Sequence, residues 1–206
     1  MIESITVDPR IKVRMAKDLL LIPKVVVVTT FDEEAAKLFR QEMSYAHRTG
    51  QPIIPVVIDS YGGDCYALFS MIDTIRSSKV PVATIIQGKA MSCGAILFSC
   101  GTEGYRFIAP NSTVMIHDVS SWMGIAKKTE EVLTDARETA RLNKKVYHIM
   151  DKNCGQKTGF FWETVQSKSR ADWYITPREA IRLNLANHVK IPTLCTEVRV
   201  EMRLDF

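Results

Sequence analysis

The sequence predicts an α/β protein whose strands lie side by side in a mainly parallel sheet. Three observations carry this expectation. Apolar, β-branched runs of strand length alternate along the chain with segments whose apolar residues recur at helical period. Gly and Pro clusters mark the joins. No low-complexity linker divides the 206 residues, a length near that of one domain.

Residues 25–30 are a β-branched run and form the first expected strand. Residues 32–46 place Ala35, Leu38, Phe39, Met43 and Ala46 at helical spacing. The pairing recurs: 53–58 is apolar and strand-like, and after Gly62 and Gly63 come Ala67, Leu68, Met71, Ile72 and Ile75 at helix period. A third buried strand is expected over 80–87 and a short helix over 92–99. Two further strands, 105–109 and 113–117, flank a turn at Pro110 and Asn111.

Residues 129–151 differ in kind. They are highly charged, with Val132, Leu133, Ala136, Ala140, Val146 and Met150 as a narrow apolar stripe. A helix of this span extends about 33 Å at 1.5 Å per residue, longer than a compact domain of this size needs for its own core. It either projects to meet another subunit or covers the sheet as an ordinary surface helix. Residues 197–206 alternate charge with Val198, Val200, Met202, Leu204 and Phe206, the signature of a half-buried strand.

Composition narrows the function classes. With 46% hydrophobic and 24% charged residues the chain is globular, not disordered. The balance of 27 basic against 23 acidic residues, signs interspersed, is too mild to argue for nucleic acid or an anionic membrane. Cys65, Cys93, Cys100, Cys154 and Cys195 are odd in number and show no matched CxxC pairs, which favours a reduced setting and no metal site. The longest apolar run, 19–28, is broken by Pro23 and Lys24 and is far shorter than the roughly 20 residues of a membrane span. Glu3 and Asp8 leave no signal-peptide core. A cytoplasmic protein, of a bacterium or of an infected one, is expected.

Ala90-Met91-Ser92-Cys93-Gly94 follows a buried strand and opens a short helix, a context that can hold a serine hydroxyl ready for attack. Ser92 is the candidate nucleophile; the ordinary alternative is a helix-capping serine. A serine hydroxyl needs a base to remove its proton, and the base needs a carboxylate to orient it. His117 ends the apolar strand Val114-Met115-Ile116, whereas His47, His148 and His188 fall on expected helices or polar turns. For the acid, Asp118 adjoins His117 and Asp172 precedes Trp173, Tyr174 and a helix cap at Thr176. Spacing does not choose between them.

Four blocks in order resemble the ClpP family, the proteolytic subunit of the Clp protease, with the ClpP/crotonase fold. They are Asp59-Ser60-Tyr61-Gly62-Gly63, Gly88-Lys89-Ala90-Met91-Ser92-Cys93-Gly94-Ala95, Pro110-Asn111-Ser112-Thr113-Val114-Met115-Ile116-His117, and Asp172-Trp173-Tyr174-Ile175-Thr176-Pro177-Arg178-Glu179-Ala180. The resemblance implies Ser92 as nucleophile, His117 as general base and then acid, and Asp172 as the orienting carboxylate, against Asp118. It implies an oxyanion hole from the backbone N–H groups of Gly63 and Cys93, where glycine at 62 and 63 would keep side chains out of the approach.

The resemblance further implies a peptidase domain over 25–190, with 129–151 as the handle helix that pairs two rings. A divergent segment, 1–24, precedes it and a strand-like tail, 191–206, follows. The expected assembly is a homo-oligomer, a heptameric ring or stacked double ring, fed unfolded polypeptide by an AAA+ unfoldase. No cofactor is expected in this chain, since ATP is used by the unfoldase, and no nucleic-acid or membrane partner. Tyr61 stands where the family usually has proline and Cys93 where it usually has methionine. Ala171 replaces an arginine that helps link ring pairing to the triad, with Arg170 one residue earlier, and 1–24 does not reproduce the stretch that shapes the axial pore and supports unfoldase docking. The competing readings are a stand-alone or phage-type processing peptidase, a non-catalytic ring subunit, and acyl-CoA chemistry on the shared crotonase fold.

Overall fold

The computed structural model describes residues 22–120, 128–168 and 171–194. The strand expected over 197–206 and nearly all of the 1–24 segment lie outside the described residues. In chain order the elements are β1 (Val26–Val28), α1 (Glu33–Arg48), β2 (Ile54–Ser60), α2 (Cys65–Arg76), β3 (Val82–Met91), α3 (Cys93–Ser99), β4 (Arg106–Ile108) and β5 (Thr113–Ile116). They continue with α4 (Thr129–Asn153), α5 (Phe160–Ser167), β6 (Trp173–Ile175), α6 (Pro177–Arg182) and β7 (His188–Val189). The strand–helix alternation expected from the sequence is present.

The sheet runs β1-β2-β3-β4-β7, all neighbours parallel, with β5 pairing parallel to β3 and antiparallel to β6. Ile54, Val56, Ile58, Val82 and Ile86 are buried, as a sheet covered on both faces requires of its central strands. Phe39, Met43 and Ala46 of α1 and Leu68, Met71 and Ile72 of α2 complete this part of the core. Asp32 caps α1 by accepting from Ala35 N–H at 2.8 Å, with Glu33 and Glu34 in the first turn and His47 and Arg48 in the last, matching the helix dipole at both ends.

β3 is the element that positions the site. Its first half pairs with β4 through Thr84, Ile85 and Ile86, and its second half pairs with β5 through Lys89, Ala90 and Met91. Between them the register against β2 shifts after Ile58, and Gly88 takes a φ of 98°. At that φ a side chain would be strained, and a Cβ at 88 would press on the Asp59 carboxylate 2.9 Å away, so glycine suits this bulge. The strand therefore runs to Met91, four residues beyond the expected end, and delivers Ser92 at the C-terminal end of an interior strand.

α4 has 25 residues, two beyond the expected stretch at its C-terminal end. Only its second half enters the core, through Leu142, Val146, Tyr147, Ile149 and Met150. The first half holds no buried residue, and Leu133 is 44% exposed. Four of the six stripe residues thus find no full cover among the described residues. His188, expected on a helix or in a turn, is instead in β7, where its ring stacks on Phe107 at 4.8 Å and pairs across to β4.

Candidate active site

Strand register alone brings the three expected residues together. Ile116 pairs with Trp173 in the antiparallel β5–β6 ladder, so the next positions outward are His117 and Asp172. Met91 pairs with Met115 in the parallel β3–β5 ladder, and Ser92 N–H donates to Met115 O at 2.8 Å. Ser92, His117 and Asp172 therefore leave the same end of three adjacent strands. His117 Nδ1 lies 3.5 Å from Asp172 Oδ1, an electrostatic contact longer than a good hydrogen bond. Asp118 is engaged elsewhere: its Oδ1 accepts from Tyr147 Oη at 2.8 Å, and burial, then that contact, pushes the Tyr147 hydroxyl pKa well up.

Ser92 has φ 53° and ψ −121°, a left-handed conformation that costs a non-glycine residue of order 1–3 kcal/mol. Its carbonyl accepts the first-turn N–H groups of Ala95 and Ile96, yet its side chain makes no capping hydrogen bond. The hydroxyl is thus not used as a helix cap. A sharp, strained turn between a strand and a helix is the geometry that presents a nucleophilic serine. No hydrogen bond joins Ser92 Oγ to His117 in this state, although both line one cavity.

That cavity, about 320 Å³, is lined by Ser92 and His117, by Gly63, Asp64, Cys65 and Tyr66 at the start of α2, and by Asp135, Glu138, Thr139 and Leu142 of α4. Gly62 and Gly63 have φ of 106° and 150°. A Cβ at 62 would fall 2.7 Å from Ser92 Cβ, and one at 63 would fall 2.3 Å from Phe31 O. The turn is held by Asp64 N–H donating to Phe31 O at 2.7 Å and by the Cys93 thiol donating to Gly63 O at 3.1 Å. The Cys93 side chain, at the start of α3, is buried in the core, as a packing cysteine would be.

Sequence reasoning missed the groups that fix α4 over the cavity. Tyr66 Oη donates to Glu138 Oε1 at 2.6 Å, and Arg141 donates to both Glu138 oxygens at 2.7 Å. These contacts, Arg141 first and Tyr66 second, hold the Glu138 carboxyl well down, at about 2. The only sequence signals were the i,i+3 spacing of Glu138 and Arg141 and the aspartate before α2. A carboxyl with a depressed folded pKa contributes stability above its ordinary value of 4.5 and loses that contribution as pH falls toward 2. Glu138→Gln is accordingly expected to lower Tm slightly at neutral pH, as befits a solvent-screened pair, and the gap to wild type should close between pH 4.5 and about 2 in an acid series followed by circular dichroism.

Among the described residues no group of three or more His, Cys, Asp or Glu could hold a metal ion, and no helix is long and apolar enough to cross a membrane. The family description that matches this sequence is "Clp protease", and the match runs over residues 10–192. The chain belongs to the Clp protease family. It is 33% identical over 136 residues to the ATP-dependent Clp protease proteolytic subunit of Deinococcus radiodurans, covering 66% of this chain and 64% of that protein. It is 29% identical over 162 residues to the protein of the same name from Porphyromonas gingivalis, covering 78% of this chain and 70% of that one. The match therefore spans just under two thirds of the length of the Deinococcus relative.

Within this Clp protease family member, Tyr61 is exposed at the rim of the glycine turn. Lys89 Nζ sits 4.2 Å from its ring centroid and 2.8 Å from Asp59 Oδ1. The side chain that replaces proline is thus tied to the bulge of β3. Ala171 is exposed and makes no side-chain contribution to the His117–Asp172 contact, and Arg170 lies outside the described residues.

Proposed function

We propose that this protein is a serine endopeptidase that cleaves unfolded polypeptides through an acyl-enzyme on Ser92. The observation that carries the reading is the convergence, by register, of Ser92, His117 and Asp172 at one end of three adjacent strands, with Ser92 and His117 lining one cavity beside a turn that admits only glycine. His117 takes the Ser92 hydroxyl proton as Oγ attacks the scissile carbonyl, and Asp172 holds the imidazole in the tautomer that can accept it. The backbone N–H groups of Gly63 and Cys93 receive the oxyanion. His117 then gives its proton to the leaving amine, and water, activated by the same imidazole, releases the acyl group. Closure of the Ser92–His117 hydrogen bond belongs to the substrate-bound state, since such bonds are often long in free enzymes.

The exposed stripe of α4 supports an assembly. A first half of α4 that leaves Val132, Leu133, Ala136 and Ala140 incompletely covered is suited to pack on another copy, and a heptameric ring or stacked pair of rings would confine the cavities to an inner chamber. An AAA+ unfoldase would supply the threaded chain in the cytoplasm, consistent with the ATP-dependent proteins of similar sequence.

A fluorophosphonate probe followed by peptide mapping tests the chemistry: an adduct on Ser92 is expected, and an adduct confined to other residues would overturn the reading. Sedimentation as a ring-sized species is expected, and a monomer at working concentration would remove the chamber. Asp172→Asn is expected to lower kcat by about 10³–10⁴-fold through the wrong imidazole tautomer. Because Asp172 is 48% exposed, its Tm should stay within about 2 °C of wild type. A parallel loss of folding would contradict the orienting role.

A further inference from the structure

The candidate base stands just past the end of its strand. β5 stops at Ile116, whose pairing with Trp173 is the last rung of the β5–β6 ladder, so His117 has no rung of its own. The next two residues are fastened to α4. Tyr147 Oη donates to Asp118 Oδ1 at 2.8 Å, and Val119 N–H donates to Asn143 Oδ1 at 2.7 Å. Asn143 and Tyr147 are four residues apart, so they share one face of the helix. Gln166 of α5 adds a longer contact, 3.4 Å from its Nε2 to Asp118 Oδ2. The helix that makes these bonds is itself fixed, because Leu142, Val146, Ile149 and Met150 around them are buried in the core. Tyr147 is 2% exposed, and burial, then Asp118, keeps its hydroxyl protonated and able to donate.

We propose that Asn143 and Tyr147 are positioning residues for His117: by fixing Asp118 and Val119 they set the imidazole between Ser92 and Asp172. The catalytic consequence rests on Ser92 being the nucleophile. His117 is where such a hold matters, since its Nδ1 lies 3.5 Å from Asp172 Oδ1, beyond good hydrogen-bond length. A small shift of the strand end decides whether that contact tightens or is lost. Side chains on a packed helix hold a neighbouring group more closely than a free loop does.

Neither Asn143 nor Tyr147 lines the cavity that holds Ser92, so each acts through His117 and not on the substrate. Loss of such a residue is felt in proton transfer and not in substrate binding, so kcat falls and KM stays. Misplacing a reacting group by about 1 Å costs about 10²-fold in rate, and losing one of two anchors is expected to cost about 10-fold.

The test compares full-length variants by hydrolysis of a fluorogenic peptide, thermal melts and hydrogen exchange at the Val119 amide. Tyr147→Phe removes one oxygen and keeps the buried ring, Asn143→Ala removes the acceptor of Val119 N–H, and Asn143→Asp restores an acceptor oxygen in the same place. Tyr147→Phe and Asn143→Ala are each expected to lose about 10-fold in kcat with KM within about 2-fold of wild type, and Asn143→Asp to regain most of the loss. The Val119 amide should exchange faster in Asn143→Ala. Thr84→Val removes a buried hydroxyl bond, also of 2.8 Å, from the first half of β3, and it should lower Tm while keeping kcat. Unchanged kcat in Tyr147→Phe or Asn143→Ala, a rise in KM alone, no recovery in Asn143→Asp, or an equal loss of kcat in Thr84→Val would overturn the proposal. A wild type that neither hydrolyses peptide nor takes the fluorophosphonate would sink the nucleophile reading and the catalytic role with it, and exchange at Val119 would still decide whether α4 holds this segment.

Discussion

Replacing Ser92 by alanine is expected to lower peptide hydrolysis by about 10⁵–10⁶-fold while leaving the fold intact, because a nucleophile acts as a unit with its base and neither substitutes for the other. The structure gives reasons for expecting both halves of that result. The hydroxyl makes no capping bond to α3, so its removal leaves no helix donor newly unsatisfied. Alanine meets the same left-handed φ of 53° that serine already tolerates, so the strain is carried over, not added. The Ser92 N–H to Met115 O bond is made by backbone and survives. Stability should change by no more than about 0.5 kcal/mol, which is about 1–2 °C in Tm for a chain of this size. The measurement is hydrolysis of a fluorogenic peptide beside a thermal melt. A variant that keeps a tenth of wild-type turnover would show that the attacking group lies elsewhere.

What the sequence could reveal about this site is set by the range over which its signals act. Period-two and period-3.6 patterns are local, and they located the strands and helices from residue 25 to residue 117 to within a few residues. Pairing is not local. Asp118 and Asp172 were equivalent by spacing, and only the β5–β6 register, 55 residues apart in the chain, sets Asp172 beside His117 while Tyr147 draws Asp118 away. α5 escaped notice for the same reason. It starts at Gly159, without a capping side chain of its own, and its first N–H groups are satisfied by Asp151 of α4, which accepts from Gly159 and Phe161 at 2.7 and 3.1 Å. A cap supplied by a buried carboxylate eight residues upstream leaves no mark in a pattern of neighbours. Arg106 is similar: a charged residue in an expected strand reads as surface, yet it is 2% exposed because Asn153 O, Asn184 O and Glu103 receive its guanidinium. These contacts tie the end of α4 to the loop before β7, and no short-range signal encodes them. The resemblance in motif blocks names Asp172 where periodicity left two acids open, since the order of the blocks carries pairing that spacing alone does not.

Gly63→Ala is expected to cost both activity and stability, and the contrast with Ser92→Ala separates the turn from the nucleophile. At φ 150° the added Cβ would meet Phe31 O at 2.3 Å and Phe31 Cβ at 3.0 Å, and the first of these is backbone that no rotamer change can move. The chain must shift, and the bond from Asp64 N–H to Phe31 O, together with the bridge between Phe31 and Gly63, shifts with it. Positive-φ strain and the displaced bridge amount to about 3 kcal/mol, which corresponds to a fall of about 6–12 °C in Tm. The Gly63 N–H is one of the two proposed oxyanion donors, so kcat should fall by about 10²–10³-fold, with KM changing much less because the donor acts on charge that develops only in the transition state. The protein should still react with a fluorophosphonate, slowly, since Ser92 and His117 remain on β3 and β5. Steady-state kinetics at a temperature well below the lowered Tm distinguishes the two losses. If kcat were unchanged there, the glycine would be required by the turn alone, and the oxyanion would have to be held by groups other than the 63 amide.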